Sequence, residues 1–258
     1  MTLLSVKTVR SILGDNDSYR GDCPDCGGKN SFSVNKNMGE VAWICFKASC
    51  RVRGRETIHR SVDEIVCSLL KPQKNNNNKF EVPKHFTSIH SQEEIYTYFQ
   101  RVNAISLFES GAIKLQYDPK QDRAVFMVER DGVVIDAIGR SLNKNNIKWH
   151  RYGSSGKSFL HKRDRCGTII VTEDIPSAIT VGYSYSSMGL MGTDLSHEDM
   201  SDIIKFQRCI IALDPDAYSK SIRMAQRLSP WLNTKAILIP DDLKYYKPKE
   251  AKAIVDGT

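Results

Sequence analysis

Four of the seven cysteines in this 258-residue chain fall in two tight pairs, Cys23-Pro24-Asp25-Cys26 and Cys45-Phe46-Lys47-Ala48-Ser49-Cys50, with eighteen residues between them. Pairs at such spacing can surround one tetrahedral Zn²⁺ with four thiolates, and Gly27 and Gly28 let backbone amides turn toward sulfur. The stretch between the pairs carries Phe32, Val34, Trp43 and Ile44 and suits a hairpin, so a zinc ribbon is predicted, ligated by Cys23, Cys26, Cys45 and Cys50. The second pair encloses four residues rather than two, a looser geometry. Cys67, Cys166 and Cys209 show no ligand spacing and read as core residues. The opening MTLLSVKTVR has no signal-peptide core, and no apolar run approaches the roughly 18–20 residues that span a bilayer. A reducing compartment, the cytoplasm, is therefore expected, with no membrane partner.

A polar run without apolar periodicity, residues 71–79 (KPQKNNNNK), reads as a linker between the cysteine-bearing module, 1–70, and everything after it. Apolar residues at 40% and charged residues at 26% are an ordinary globular composition, which excludes collagen-like and wholly disordered chains. The charge distribution is uneven. Residues 1–79 are net +5, residues 80–172 net +4 and residues 173–258 net −2, within a total of +7. Residues 140–165 hold eight basic side chains against the single acid Asp164, either a polyanion-binding stretch or a solvated face.

Helices are predicted over 91–99, with Ser91 and Glu94 at capping-box spacing, and over 104–110 up to Gly111. Strands over 123–128 and 133–138 flank Asp131-Gly132, a hairpin signal. From Thr168 the pattern alternates: strand 168–172, helix 177–181, strand 186–189, helix 196–206, strand 209–213, helix 219–232, strand 236–239, helix 248–255. Such alternation predicts a parallel sheet covered by helices, so the overall class is α/β.

Acidic residues follow three of those strands: Glu173 after the first, Asp214 and Asp216 after the third, Asp241 and Asp242 after the last. In a parallel sheet these are all carboxyl ends and meet at one crevice. Carboxylates gathered there repel one another unless cations lie between them, and an oxygen-only donor set suits Mg²⁺ or Mn²⁺. Each acid can alternatively cap the helix that follows it.

Taken in order, these segments resemble a known family. Thr172-Glu173, with Ala178 and Ile179 on the next helix, and Asp214-Pro215-Asp216 after an apolar strand resemble the TOPRIM catalytic core. Gly189-Leu190-Met191-Gly192-Thr193-Asp194-Leu195 resembles the Gly-Thr turn of bacterial-type primases. Arg123-Ala124-Val125-Phe126, Ile138-Gly139-Arg140-Ser141-Leu142, Lys148-Trp149-His150-Arg151-Tyr152 and Phe159-Leu160-His161-Lys162 resemble that family's basic motif region. With the ribbon in front, the resemblance to bacterial and phage-type TOPRIM DNA primases, and most to the primase half of phage primase-helicases, runs nearly the whole chain. Three positions depart from the family: Asp174 stands where Gly is usual, Ala217-Tyr218-Ser219 where Ala-Gly follows, and Lys247-Pro248 where an Asp-Pro is expected.

The resemblance implies DNA-templated synthesis of RNA primers. It implies a ribbon over 1–70 that binds template, a basic mixed α+β subdomain over 80–165 and a parallel-sheet TOPRIM subdomain over 166–258. Glu173, Asp214 and Asp216 would be catalytic and bind Mg²⁺ or Mn²⁺, with Asp241 or Asp242 in place of the missing third acid. Arg123, Arg140, Lys148, Arg151 and Lys162 would meet nucleotide and template phosphates. Trp43 and Phe46, beside Arg51, Arg53 and Arg55, would stack template bases, with Trp43 alternatively belonging to the ribbon core. Implied partners are single-stranded DNA, ribonucleoside triphosphates, a DNA polymerase and, as no Walker A pattern is present, a separate replicative helicase. The same core in a nuclease or topoisomerase-like enzyme, or in a non-catalytic DNA-binding or helicase-loading factor, are the competing expectations.

Overall fold

The computed structural model describes residues 5–14, 18–37, 40–57, 80–143 and 146–257. The expected linker, Cys67 and Lys144 lie outside the described residues. The chain forms two compact units, Met1–Lys74 and Asn75–Thr258.

In the first unit, helix α1 (Val6–Leu13) is capped by the Ser5 side chain, which accepts from the Thr8 amide. It precedes an antiparallel sheet of β1 (Ser18–Gly21), β2 (Phe32–Asn37), β3 (Glu40–Cys45) and β4 (Arg53–Thr57). Strand alternation sends Phe32, Val34, Val41, Trp43 and Cys45 to one face, where they pack with Val9 and Leu13. Gly54 lies opposite Trp43, and a Cβ there would stand 2.4 Å from the indole ring, so the ring covers a strand position that only glycine can hold. Trp43 is thus a core residue, 8% exposed, the second of the two places open to it in the sequence.

The second unit holds two sheets. Helices α2 (Glu93–Arg101) and α3 (Ile105–Glu109) lead into the antiparallel sheet β5 (Leu115–Asp118), β6 (Arg123–Arg130), β7 (Val133–Ser141) and β8 (Trp149–Arg151). The β6–β7 turn is the expected Asp131-Gly132, both with positive φ, as a type I′ hairpin requires. The expected capping box fails: Ser91 ends a 3-10 turn and its hydroxyl donates to Ser88, while α2 starts at Glu93 without a side-chain cap.

The other sheet has the order β13-β12-β10-β11-β9, built from β9 (Phe159–His161), β10 (Thr168–Thr172), β11 (Ser186–Gly189), β12 (Arg208–Ile211) and β13 (Asn233–Ala236). Strands β10 to β13 are parallel, and β9 pairs antiparallel on the edge. Helices α4 (Ile175–Gly182), α5 (His197–Ile203), α6 (Tyr218–Leu228) and α7 (Pro248–Asp256) complete the unit. From β10 the chain moves one way to β11, whereas β12 moves the other way to β13, so the β10/β12 boundary is the switch point. Right-handed crossovers in opposite directions place α4 and α6 on opposite faces. The last strand is Asn233–Ala236, not the expected 236–239, with Ile237 still donating to the Ile211 carbonyl at 3.0 Å just past its end.

The two sheets share one core. Phe126 from β6 stacks edge-on against Phe99 and Phe159 and joins Ile175, Ala178 and Ile179 of α4. All eight residues of α4 are buried, as expected for a helix apolar all round. Phe126→Ala should therefore destabilise this unit by about 3–5 kcal/mol, the usual cost of a large core cavity, read as a lower denaturant midpoint.

Candidate active site and metal centre

The four ribbon cysteines come together. Cys23 Sγ lies 4.0 Å from Cys50 Sγ, Cys26 Sγ lies 3.8 Å from Cys45 Sγ, and all four fall within 4.8 Å of one another. Sulfurs held at ~2.3 Å from a tetrahedral zinc would be about 3.8 Å apart, so both spacing and donor type fit that ion. The first pair closes through Gly27 N–H to Cys23 C=O at 2.9 Å and Cys23 N–H to Gly28 C=O at 2.9 Å. The thiols do not titrate alike. The Ser31 hydroxyl, 3.4 Å away, pulls Cys45 down to about 7, whereas burial holds Cys23 above its ordinary value. At Cys50 an amide hydrogen bond from Val52 is outweighed by burial and neighbouring thiols, which push it up to about 12. The Cys45 thiolate forms readily while Cys23 and Cys50 resist, an imbalance that a bound dication removes.

The face of the ribbon sheet opposite its core is basic. Arg20, Ser33, Ile44 and Arg53 sit side by side across the four strands, and Ile44 is exposed. Phe46, just past β3, is 58% exposed with the Arg20 guanidinium 5.3 Å over its ring, and Arg51 is exposed.

In the second unit a cleft of about 570 Å³ opens at the carboxyl ends of the parallel strands. Glu173 comes directly off β10, Asp214 three residues past β12, and Asp242 from the loop after β13. Facing them are Arg140 of β7, Lys148 and Trp149, with Arg101 and Tyr98 of α2. The Arg140 guanidinium lies 5.1 Å over the Trp149 ring, which fixes its position by a cation–π contact. Gly189 permits the close approach of β11 to the Glu173 turn: a Cβ there would stand 2.8 Å from the Asp174 carbonyl oxygen.

The carboxylates are electrostatically crowded. Burial raises Asp214 to about 7, helped by Asp242, Asp174 and Glu173 and opposed by Lys244. Glu173 is raised by burial and then by Asp216 and Asp174. Neither Asp214 nor Asp216 acts as a cap: Asp214 precedes a 3-10 turn and Ala217 precedes α6, both without side-chain cap bonds. The acid that does cap is Asp174, which accepts from the Ser177 amide at 2.9 Å. Among the described residues, only the cysteines form a group of three or more metal-ligating side chains whose donor atoms all lie within 4.8 Å. Asp174 and Asp242 pair with Lys244, whereas among the described residues Glu173 and Asp214 share the cleft without an ion pair within 4.0 Å. That suits a hard cation such as Mg²⁺, which keeps several of its waters and needs only one or two direct carboxylates.

Other expected site residues lie elsewhere. Asp216 is exposed beside the cleft wall, and exposed Asp241 accepts from the Asp242 amide at 2.7 Å. Arg123 is buried, donating to Gln121 and the Ile147 carbonyl, so it is a structural residue and not a phosphate ligand. Arg151 is tied to the fully buried Asp136 at 2.7 Å and to the Lys157 carbonyl, which holds the 151–157 loop. Lys162 pairs with Asp131 at 3.2 Å at the hairpin tip. Sequence reasoning missed Arg101, Tyr98, Asp174 as a cap, and Lys244. Only Asp174 carried a signal, as an N-cap acid followed by a proline at the second helical position.

The zinc-loaded chain should contain one Zn²⁺, and Cys23→Ser should lower that content by atomic spectroscopy; full occupancy in the variant would remove Cys23 from the ligand set. For Asp214 the sign follows from its raised value. The unfolded chain has already lost that proton by about pH 4–5, so between there and pH 7 the folded state binds more protons. Stability without Mg²⁺ should thus fall as pH rises through that window. Asp214→Asn should lack the fall and melt no lower than the parent at pH 8, whereas a capping acid would lose stability at both ends.

No family model matches the chain, and no curated protein matches it. Among solved structures it is similar to the catalytic domain of the DnaG primase bound to ssDNA, at 12% identity and TM-score 0.46 over 66% of this chain and 60% of that one. It is similar to a DNA primase domain from Pseudomonas aeruginosa, at 16% identity and TM-score 0.41 over 57% of this chain and 53% of that one. The chain thus spans under two thirds of both. A third similarity is to a bacteriophage T7 assembly, lagging-strand DNA polymerase interacting with primase domains bound to an RNA/DNA hybrid and dTTP, at 14% identity and TM-score 0.40 over 93% of this chain and 92% of the other.

Proposed function

We propose that this chain is a TOPRIM-type DNA primase that polymerises ribonucleoside triphosphates on a single-stranded DNA template. One observation carries the reading: carboxylates from the loops that follow three parallel strands, Glu173, Asp214 and Asp242, line the same cleft as Arg140 of β7 and Lys148 just before β8. An acid wall facing a basic wall suits a polyphosphate accompanied by cations. The family motifs around Glu173 and Asp214-Pro215-Asp216 sit at that cleft or on its rim.

In the proposed reaction a 3′-hydroxyl attacks the α-phosphorus of the next nucleotide, the α–β bridging bond breaks, and pyrophosphate leaves. Arg140 and Lys148 hold the triphosphate and offset its charge as the leaving group forms. Glu173, with its raised proton affinity, accepts the hydroxyl proton. Asp214 and Asp216, with Glu173, would hold Mg²⁺ or Mn²⁺, which when bound supplies positive charge to the phosphoryl oxygens. Residues 80–165 supply the basic wall and 166–258 the acid wall.

The ribbon unit, residues 1–70, would bind one structural Zn²⁺ and read template on its basic face. Of the two expected rings, Phe46 is the exposed one on which a base can stack, and Arg20, Arg51 and Arg53 would serve phosphates. A replicative helicase and a DNA polymerase would be its partners. Its setting would be the cytoplasm, that of the host if a phage encodes it; among the described residues no helix is long and apolar enough to cross a membrane.

Incubation with single-stranded DNA, labelled ribonucleotides and Mg²⁺ or Mn²⁺ should give oligoribonucleotides, reduced about 100-fold or more in Glu173→Gln and Asp214→Asn. Shortened template would indicate a nuclease, and neither product a binding factor.

A further inference from the structure

Among the described residues, Lys244 is the one cation ion-paired with acids that line the cleft, and no sequence motif leads to it. It comes from a 3-10 turn, Leu243–Tyr245, whose first residue Leu243 is fully buried against Ile237, Ile239 and Ala251. That anchor points the lysine inward: its side chain is 19% exposed, and Nζ lies 3.0 Å from Asp174 Oδ2 and hydrogen-bonds Asp242. The Tyr245 ring lies 5.2 Å from the same ammonium. Asp174 is itself fixed, because its other carboxylate oxygen caps α4. The pair of acids on this side of the cleft is therefore already closed around a positive charge. Among the described residues, Glu173, Asp214 and Asp216 form no ion pair within 4.0 Å, so the negative charge left for a mobile cation lies on their side. Burial works against the Lys244 charge, yet the Asp242 and Asp174 contacts outweigh it and hold the ammonium above its ordinary value.

We propose that Lys244 is a resident counter-ion, its ammonium occupying the place between Asp174 and Asp242 that a second divalent cation would otherwise take. The cleft then admits one divalent ion, on the Glu173, Asp214 and Asp216 side. The inference rests on the metal-dependent cleft proposed above and adds how many ions it takes and why. Asp242 becomes the partner of a lysine and not a metal ligand. A lysine and a dication cannot share two carboxylates at this spacing without strong repulsion, so exchange of one for the other is close to all-or-none.

The test counts tightly bound Mn²⁺ by electron paramagnetic resonance on the full zinc-loaded chain. The parent should bind one Mn²⁺, Lys244→Met two, and Lys244→Arg one, since arginine restores the charge. Two ions in the parent would overturn the proposal while leaving a metal-dependent cleft intact. One ion in a folded Lys244→Met would also overturn it. No ion in the parent, together with no primer synthesis, would remove the proposed function as well. Should Lys244→Met fail to fold, the ammonium signal of Lys244 in the parent, followed by NMR during Mg²⁺ addition, decides the matter. A persisting hydrogen-bonded signal supports a resident lysine, and its release to fast solvent exchange overturns it.

Discussion

Helix α4 belongs to both sheets of the second unit, and the architecture of that unit depends on it. All eight of its residues are buried: Ile175, Ala178 and Ile179 face the core beneath β6, and Val181 faces the core of the parallel sheet. A helix in that position has no solvent face to absorb error, so both its start and its end must be specified. The start is Asp174, whose carboxylate accepts the Ser177 amide. The same carboxylate receives Lys244, so the first turn of the central helix and the charge balance of the cleft are set by one side chain. Glycine at position 174, usual in the family this sequence resembles, could supply neither contact.

The cleft lies at the switch point because strand connectivity leaves a gap there, and that geometry gathers negative charge. Glu173, Asp174, Asp214 and Asp242 all line it. Burial raises the proton affinity of Asp214 and Glu173 before their neighbours add to it. Folding thus works against ionised carboxylates that hydrophobic packing in α4 and β10 has brought together. The basic wall of Arg101, Arg140 and Lys148 stands across the cleft, where it matches a polyanion more readily than it neutralises the acids.

Much of this was legible in the sequence because the signals were local. Strands β10 and β12 appear as apolar runs, the cysteine spacing marks the cluster, and Asp131-Gly132 marks the hairpin. The misreadings have a common origin in contacts made across the fold. Trp43 alternates with solvent-facing neighbours, and strand periodicity alone leaves open which face is covered until Gly54 is placed beneath the ring. Arg123 and Arg151 belong to the segments resembling the family's basic motif region but are consumed by Ile147 and Asp136, residues no spacing rule connects to them. Lys244 sits 70 positions from Asp174 and is brought to it only by the burial of Leu243. Ser91 had the right residue type for a cap, yet the preceding Ser88 claimed its hydroxyl.

The shared core of Phe99, Phe126, Phe159 and α4 has a mechanical consequence. Arg140 and the acid ends of β10 and β12 are mounted on sheets fused through one close-packed interior, and such interiors resist shear. The two walls cannot swing apart as hinged jaws. A growing primer in the proposed reaction would have to slip forward one nucleotide per cycle through an aperture of constant width. Translocation would then be driven by the affinity of the next nucleotide and the stiffness of the hybrid, with the protein serving as a fixed gauge and not a moving clamp.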